Sequence, residues 1–271
     1  MSESDVTAEL VYLVPGPKKP SYTASTGGAD AAMEIGAEFQ SRRVRIRDAR
    51  GLTAAPTLDR HGFCLRPHCT SVEDFYALDT HRGEYEAELR ALMVEVTGAV
   101  DALVFDHTLR SDSPQVREQR DIREPASVVH NDYTRASGVQ RLRDVLPPAE
   151  ADRRLQSRFA IINVWRSIAG RVLTSPMTCC DGATIAAADL VASERRSAER
   201  TGEIELAAYS PDHRWYYFSA MQPAEVLLIK TFDSGADGVV ERSIHCAFDH
   251  PAAPDGAPPR ESVESRLLVF Y

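Results

Sequence analysis

From Gly202 to its end the chain is a succession of short apolar runs cut by breakers. The runs are Glu203–Tyr209, Arg214–Met221, Val226–Phe232, Ser243–Phe248 and Arg266–Tyr271. Between them stand Ser210-Pro211-Asp212, Gln222-Pro223 and Asp233-Ser234-Gly235-Ala236-Asp237-Gly238. Runs this short, recurring at roughly ten-residue spacing, point to an all-β sandwich or barrel.

Upstream segments extend the pattern. Leu10–Val14 reads as a strand, followed by the breaker cluster Pro15-Gly16-Pro17-Lys18-Lys19-Pro20. Arg43-Val44-Arg45-Ile46-Arg47 alternates with period two, as a half-buried strand does. Leu58–Cys64 reads as a further short element, with Arg66-Pro67 marking a turn. Val100–His107 and Phe159–Ile168 are strand-like as well. Helices flank these strands. Ser71 with Asp74 three residues on is an N-terminal signal, and Gly98 is a stop. Between them Phe75, Leu78, Tyr85, Leu89, Leu92, Met93 and Val96 recur at helical spacing, with Thr80-His81-Arg82-Gly83 as a point where the run breaks in two. Ala149–Arg158 follows Pro147-Pro148 as a short helix, and Asp181–Arg200 reads as a turn and a surface helix. Arg110–Glu124 is charged without periodicity and reads as a mobile loop; with residues 15–40 it is where substrate selectivity is expected. No repeat or linker divides the chain, so residues 1–271 are expected to form one domain, with 1–40 a partly irregular arm.

A formal net charge of −9 with no basic run argues against a nucleic-acid binder. No apolar stretch approaches the length of a membrane span, and the acidic start Met1-Ser2-Glu3-Ser4-Asp5 lacks the basic and apolar parts of a signal peptide. The five cysteines are an odd number without a C-x-x-C spacing, so reduced thiols in a cytoplasmic protein are expected, not a disulfide framework or zinc ribbon.

Chemistry concentrates in Val128-Val129-His130-Asn131-Asp132-Tyr133-Thr134. On a strand, residues i and i+2 share a face, so His130 and Asp132 aim an imidazole and a carboxylate at one point. These are two ligands of a 2-His-1-carboxylate triad, which holds non-haem Fe(II) with positions left open. The third ligand belongs on a distant strand. His245 in Arg242–Phe248 is preferred to His250, which precedes Pro251 in a turn, because a strand holds a donor more rigidly than a loop. With 2-oxoglutarate as cosubstrate and O2 as oxidant, the distal carboxylate needs a cation, best a bidentate Arg. Arg260 with Ser262 is the first choice; Arg266, of the same parity, is the second. Asn163, Trp165 and Ser167 share one face of their strand, and Val164, Arg166 and Ile168 the other. Polar groups in so apolar a strand need partners, which makes them pocket candidates. Asn163 is placed with the cofactor. Tyr133, Trp165, Arg166, His213, Tyr216, Tyr217 and Lys230 are placed around the substrate.

These segments together resemble the hydroxylase/desaturase family of fungal and actinomycete secondary metabolism, which includes the cephamycin 7-alpha-methoxylase component. The resemblance rests on Val129–Thr134, Asn163-Val164-Trp165-Arg166, His213–Tyr217, Leu227–Ser234, His245–Phe248 and Pro258–Arg266, with weaker similarity from Thr70–Tyr76 through Thr97–Ala99. It covers most of residues 60–271. Ser167 departs from the proline common in the family after its Trp-Arg pair. The resemblance implies a mainly β fold with flanking helices, a double-stranded β-helix of the cupin-like jelly-roll kind. It also implies Fe(II)/2-oxoglutarate-dependent oxidation of an unactivated C–H in a small natural-product intermediate, by hydroxylation, desaturation or cyclisation. The competing expectation is a non-catalytic accessory to a tailoring enzyme such as a methyltransferase. A homodimer or a tailoring-enzyme partner is compatible with either.

Overall fold

The strands alternate between two sheets in a way that fixes the architecture. The computed structural model describes residues 5–23, 27–28, 34–196, 201–235 and 238–271. Its strands are β1 Val6–Val14, β2 Ser21–Thr23, β3 Glu34–Ile35, β4 Glu38–Asp48, β5 Phe63–Pro67, β6 Asp101–Ser111, β7 His130–Asn131 and β8 Phe159–Ser167. They continue with β9 Met177–Cys180, β10 Leu190–Arg196, β11 Thr201–Ala207, β12 Trp215–Tyr217, β13 Glu225–Asp233, β14 His245–Ala247 and β15 Glu261–Phe270. One sheet runs β5-β13-β8-β15-β6, and the other β1-β4-β12-β9-β14-β7-β11-β10-β2-β3. Numbering β6, β7, β8, β9, β12, β13, β14 and β15 as core strands one to eight gives one-eight-three-six in the first sheet and two-seven-four-five in the second. This is a double-stranded β-helix, the jelly-roll solution to closing an all-β core.

The first sheet is covered on its outer side by α1, Leu78–Thr97, whose Tyr85, Leu89, Leu92 and Met93 pack against Ala160, Ile162 and Val164 of β8. Side chains as deeply buried as Leu89 and Met93 each contribute about 1.5–3 kcal/mol of transfer free energy. Because β8 lies between β13 and β15 with both faces covered, every one of its residues is buried. That burial accounts for its almost unbroken apolar sequence. The second sheet curls back on itself. Val129 N–H donates to Val11 O at 2.9 Å, and Leu13 bridges Ala208.

Several sequence expectations change. Ser71 does not start the helix; its hydroxyl and N–H bind Glu88, and Asp74 caps a short 3-10 turn, Phe75–Ala77, ahead of α1. α1 runs unbroken through Thr80–Gly83, and Gly98 ends it at φ 67°. The expected loop 110–124 contains α2, Pro114–Arg120, begun by Ser113 Oγ accepting from Val116 N–H and by Pro114 in the first turn. The expected surface helix of 181–200 is instead two 3-10 turns and β10, which pairs with β11 along its whole length; residues 197–200 lie outside those described. The short element of 58–64 is a turn leading into β5, and Pro67 ends that strand.

α3, Arg135–Val145, has no counterpart among the sequence expectations. Thr134 and Ser137 form a reciprocal capping box at its start. Gly138 lets the helix lie directly on β13, since a Cβ there would stand 2.3 Å from the Phe232 ring. α4, Pro148–Arg154, follows it. α3 starts three residues after Asp132 and thereby anchors the turn that presents that carboxylate.

Candidate metal centre

His130 and His245 are direct cross-strand partners on β7 and β14. The same register row continues to Cys179 and Tyr216 on one side and to Leu206 on the other. The imidazoles therefore rise side by side from one sheet face, with ring centroids 4.6 Å apart. Nδ1 of His130 faces Val128 O at 2.8 Å, and Nδ1 of His245 faces Ser243 O at 3.2 Å. A carbonyl only accepts, so each Nδ1 carries a proton, which leaves Nε2 as the ring atom that can face a metal. This is the tautomer that metal-binding histidines adopt. Burial, with His130 adding, pushes the His245 pKa down to about 4, against the opposing pull of Asp132 and Glu264. Near neutral pH His245 is a neutral donor.

Asp132 is not part of the strand; β7 ends at Asn131. The expected alternation along a strand is replaced by a pinned turn. Asn131 Nδ2 donates to Tyr133 O at 2.6 Å and to Glu205 Oε2 at 2.8 Å. Asp132 Oδ2 accepts from Asn163 Nδ2 at 2.7 Å and from Arg266 Nε at 3.0 Å. Oδ1 is left facing His130 Nε2 at 3.6 Å. Burial opposes ionisation of this carboxyl, but Arg266, His130 and His245 together hold it well below the usual carboxylate range. One ligand atom from each of His130, Asp132 and His245 lies within 4.8 Å of the other two. Two imidazole nitrogens and one ionised oxygen, converging from fixed backbone, fit a divalent first-row metal.

Arg266 and Arg260 are both buried on β15 or just before it, but only Arg266 has carboxylates. Its guanidinium bonds Asp132, Asp106 at 3.2 Å, and Glu264. Arg260 donates to Ser175 O at 2.8 Å and to Ser262 Oγ at 3.1 Å, and its Nε has no partner. It stands 5.1 Å from the Trp165 ring, whose buried indole N–H is also without a partner. Burial pulls the Arg260 pKa down to about 10, and Arg110 adds to the fall against Asp112 and Glu264. Among the described residues no carboxylate bonds the Arg260 side chain. A buried cation with unsatisfied N–H groups beside it has the chemistry of an anion receptor.

Two cavities meet at the centre. A small one of about 40 Å³ is lined by His130, Asp132, Arg110, Arg123 and Leu206 among others. A large one of about 1240 Å³ shares Asp132, Arg123, Arg195, Ile204 and Arg266 with it and extends to Tyr133 and Gln140. Neither is lined by Arg260, Ser262, Trp165 or Tyr216.

The structure brings together most of the expected site residues and sets others aside. Asn163 reaches the centre by donating to Asp132. Trp165 and Tyr216 lie between the two sheets. Arg166 points to the opposite face of β8, bonds His68 and stacks near Phe75 and Tyr85 beneath the flanking helix. Lys230 faces the same way, next to an irregularity in the β13–β8 register, and pairs with Asp233 at 2.9 Å. Tyr217 alternates away from Tyr216 and packs on Phe248. His213 stacks on Tyr12 and bonds Asp189. Strand alternation turns Arg166, Lys230 and Tyr217 from the centre, and the contacts with Tyr12 and Asp189 hold His213 away from it. The sequence reading missed Asp106, Thr108 and Arg110, which line the inner face of β6 opposite Arg266, Glu264 and Ser262. Period-two spacing of polar residues in that strand was the available signal.

Residues 10–270 match a family model described as an oxidoreductase/YMDC permease-like domain. The Fe(II)/2-oxoglutarate-dependent dioxygenase nvfI of Aspergillus novofumigatus is 37% identical over 240 residues, covering 84% of this chain and 83% of that protein. This chain belongs to the Fe(II)/2-oxoglutarate-dependent dioxygenases. The hydroxylase/desaturase CTB9 of Cercospora beticola is 33% identical over 255 residues, 86% of this chain and 78% of its own length. A solved structure of the iron and alpha-ketoglutarate-dependent endoperoxidase NvfI superposes with a TM-score of 0.86 at 32% identity, covering 99% of both chains. The dioxygenase is thus an oxidoreductase with the jelly-roll fold of its structural relatives, and its substrate is a small molecule. Among its described residues no helix is long and apolar enough to cross a membrane.

Proposed function

We propose that His130, Asp132 and His245 hold Fe(II), and that Arg260 with Ser262 holds the distal carboxylate of 2-oxoglutarate. The observation that carries the metal assignment is the pair of Nε2 atoms converging on the one free oxygen of Asp132. The cosubstrate assignment rests on the contrast between the arginines: Arg266 is already neutralised by carboxylates, and Arg260 is not. Ser262 lies four residues from Arg266 along β15, roughly 13 Å at strand rise, so Arg260 with Ser262 and Arg266 with Asp132 occupy separate stretches of one chain segment.

When bound, the metal and cosubstrate supply the oxidising power, consuming O2 and releasing succinate and CO2. The protein's own groups orient and enclose. Arg266 and Asn163 fix which Asp132 oxygen faces the metal. The carbonyls of Val128 and Ser243 fix the imidazole tautomers. Trp165 covers the Arg260 guanidinium. Tyr133 and the large cavity receive a natural-product intermediate, whose unactivated C–H is hydroxylated, desaturated or closed into a ring. A homodimer or a tailoring-enzyme partner, and a cytoplasmic place of action, extend this reading; light scattering of the purified chain and fractionation of its host test them.

Anaerobic titration tests the core of the proposal. Fe(II) followed by 2-oxoglutarate should produce a weak visible charge-transfer band in wild type and none in His130→Ala. A folded, iron-loaded wild-type sample that shows no band on adding cosubstrate counts against it.

A further inference from the structure

The throat between the two cavities has more positive charge than the proposed metal and cosubstrate use. Arg110, on β6, and Arg123, on the segment beside it, lie at one level, because their backbones form a parallel bridge. Ser111 N–H donates to Arg123 O at 3.0 Å. Both side chains line the small cavity beside His130 and Asp132. Arg110 makes one side-chain hydrogen bond, to Glu124 O at 2.8 Å, and has no carboxylate partner among the described residues. Arg123 has no side-chain hydrogen bond or ion pair among them. Arg195 lines both cavities too and is engaged by contacts of its own.

The charges around the centre can be matched. Arg110, Arg123, Arg260 and Arg266 face Asp106, Asp132 and Glu264. Asp112 binds the backbone N–H of Arg260, is partly exposed and lines neither cavity. A divalent metal and a dianionic cosubstrate cancel. Among these seven side chains positive charge exceeds negative by one, and Arg110 and Arg123 are the two at the throat without a carboxylate partner among the described residues. Guanidiniums crowded at a partly desolvated site repel one another unless an anion joins them. The small cavity's 40 Å³ takes roughly three water-sized groups, the heavy atoms of one carboxylate.

We infer that the substrate is a carboxylate-bearing small molecule, seated with its carboxylate on Arg123 and Arg110 and its carbon skeleton in the large cavity. This rests on the Fe(II)/2-oxoglutarate reading for the chemistry, but not for the anion seat itself. A fork of two parallel N–H donors matches the two carboxylate oxygens. The seat adjoins Asp132, so the carboxylate would hold a nearby C–H of the skeleton at the metal and not merely recruit the molecule.

Cinnamate and its uncharged isostere cinnamamide are the probes. Calorimetry on wild type, with Fe(II) and 2-oxoglutarate bound anaerobically and again on the metal-free protein, should give at least ~10-fold tighter binding of cinnamate. Arg123→Gln should abolish the preference while the 2-oxoglutarate titration by its charge-transfer band stays within ~2-fold of wild type, because Arg260 is untouched. Arg123→Lys, which keeps the charge without the fork, should retain a reduced preference, and thermal melts of both variants establish that they fold. Equal binding of the two probes, including no measurable binding of either at millimolar concentration, overturns the inference. So does a preference that survives Arg123→Gln, or a 2-oxoglutarate affinity that collapses in it, which would make Arg123 a cosubstrate residue. A wild type that prefers cinnamate yet forms no charge-transfer band keeps the anion seat and removes the iron reading.

Discussion

The two ends of β15 carry the same side chain in opposite electrostatic settings. At the metal end, burial disfavours the charge of Arg266, but Glu264, Asp132 and Asp106 outweigh it and raise its pKa well above the ordinary value. Six residues earlier, burial lowers that of Arg260, and neighbouring Arg110 lowers it further. An arginine wrapped in carboxylates has its ligands already and can only position them. A buried arginine without them is costly in isolation and becomes favourable when an anion arrives. On the proposed reading, one chain segment carries both a strut for the metal ligand and a socket for a diacid.

The largest effect should come from removing a ligand. His245→Ala leaves two donors and should lower metal affinity by more than the roughly 10–100-fold that outer hydrogen-bond partners cost. Turnover should vanish while the circular dichroism spectrum is kept. Next comes the socket. Arg260→Gln removes the charge that no described carboxylate answers, and 2-oxoglutarate affinity should fall on the order of 100-fold with metal affinity unchanged. A parallel fall in both would erase the distinction between the two ends.

Much of this division was legible in the sequence, and the illegible parts have physical causes. Short apolar runs between breakers pointed to an all-β sandwich or barrel, because burial writes itself into each strand, and the resemblance narrowed that to the jelly roll. His130, Asp132 and His245 were readable because so few residue types make a metal site. Arg166, Lys230, His213 and Tyr217 were not placeable, because facing depends on register: Lys230 follows Leu228 onto the outer face, opposite Ile162 of β8. Arg260 was preferred to Arg266 for the hydroxyl two residues on; the contrast in their carboxylate partners depends on Asp106 and Glu264, which strand pairing positions and composition does not. α3 was missed because its apolar face is narrow and its cap is the modest pair Thr134 and Ser137.

The strut is tested by Arg266→Gln. It should lower metal affinity roughly 10–100-fold by freeing Asp132, with 2-oxoglutarate affinity little changed. It also leaves three carboxylates without their cation, which should cost about 3–5 kcal/mol of stability in urea unfolding. Should the variant not fold, Arg266→Lys keeps a charge without the fork and should show the metal defect alone. If either variant loses cosubstrate affinity more than metal affinity, the roles of the two arginines are reversed.

The metal end should also govern acid stability of the metal-free protein. The His245 pKa is about 4 in the fold against 6.5 for the free side chain. Between those values the unfolded chain binds the proton and the native chain does not. Stability is therefore present above the higher value and lost as pH falls toward the lower one, by about 2 kcal/mol between pH 7 and pH 5. Urea midpoints across this range should flatten in His245→Gln; identical slopes in wild type and variant would remove His245 as the cause. No comparable loss should arise at the Arg260 end, where no histidine titrates.

The smallest effect belongs to Asn163, which shares Asp132 Oδ2 with Arg266. Asn163→Leu keeps the volume and removes one donor at 2.7 Å, leaving the Arg266 bond in place. A single hydrogen bond to a charged acceptor is worth about 1.5 kcal/mol at the low end, so metal affinity should fall roughly 10-fold. Cosubstrate affinity should be unaffected, since Asn163 stands level with Arg266 in the β15 register and four residues from Ser262. The double variant Asn163→Leu/Arg266→Gln sharpens the point. If the two donors hold one oxygen independently, their costs add; if Arg266 alone fixes the carboxylate, Asn163→Leu should cost nothing further once Arg266 is gone. An Asn163→Leu defect as large as that of Arg266→Gln would mean that the amide, not the guanidinium, decides which Asp132 oxygen faces the metal.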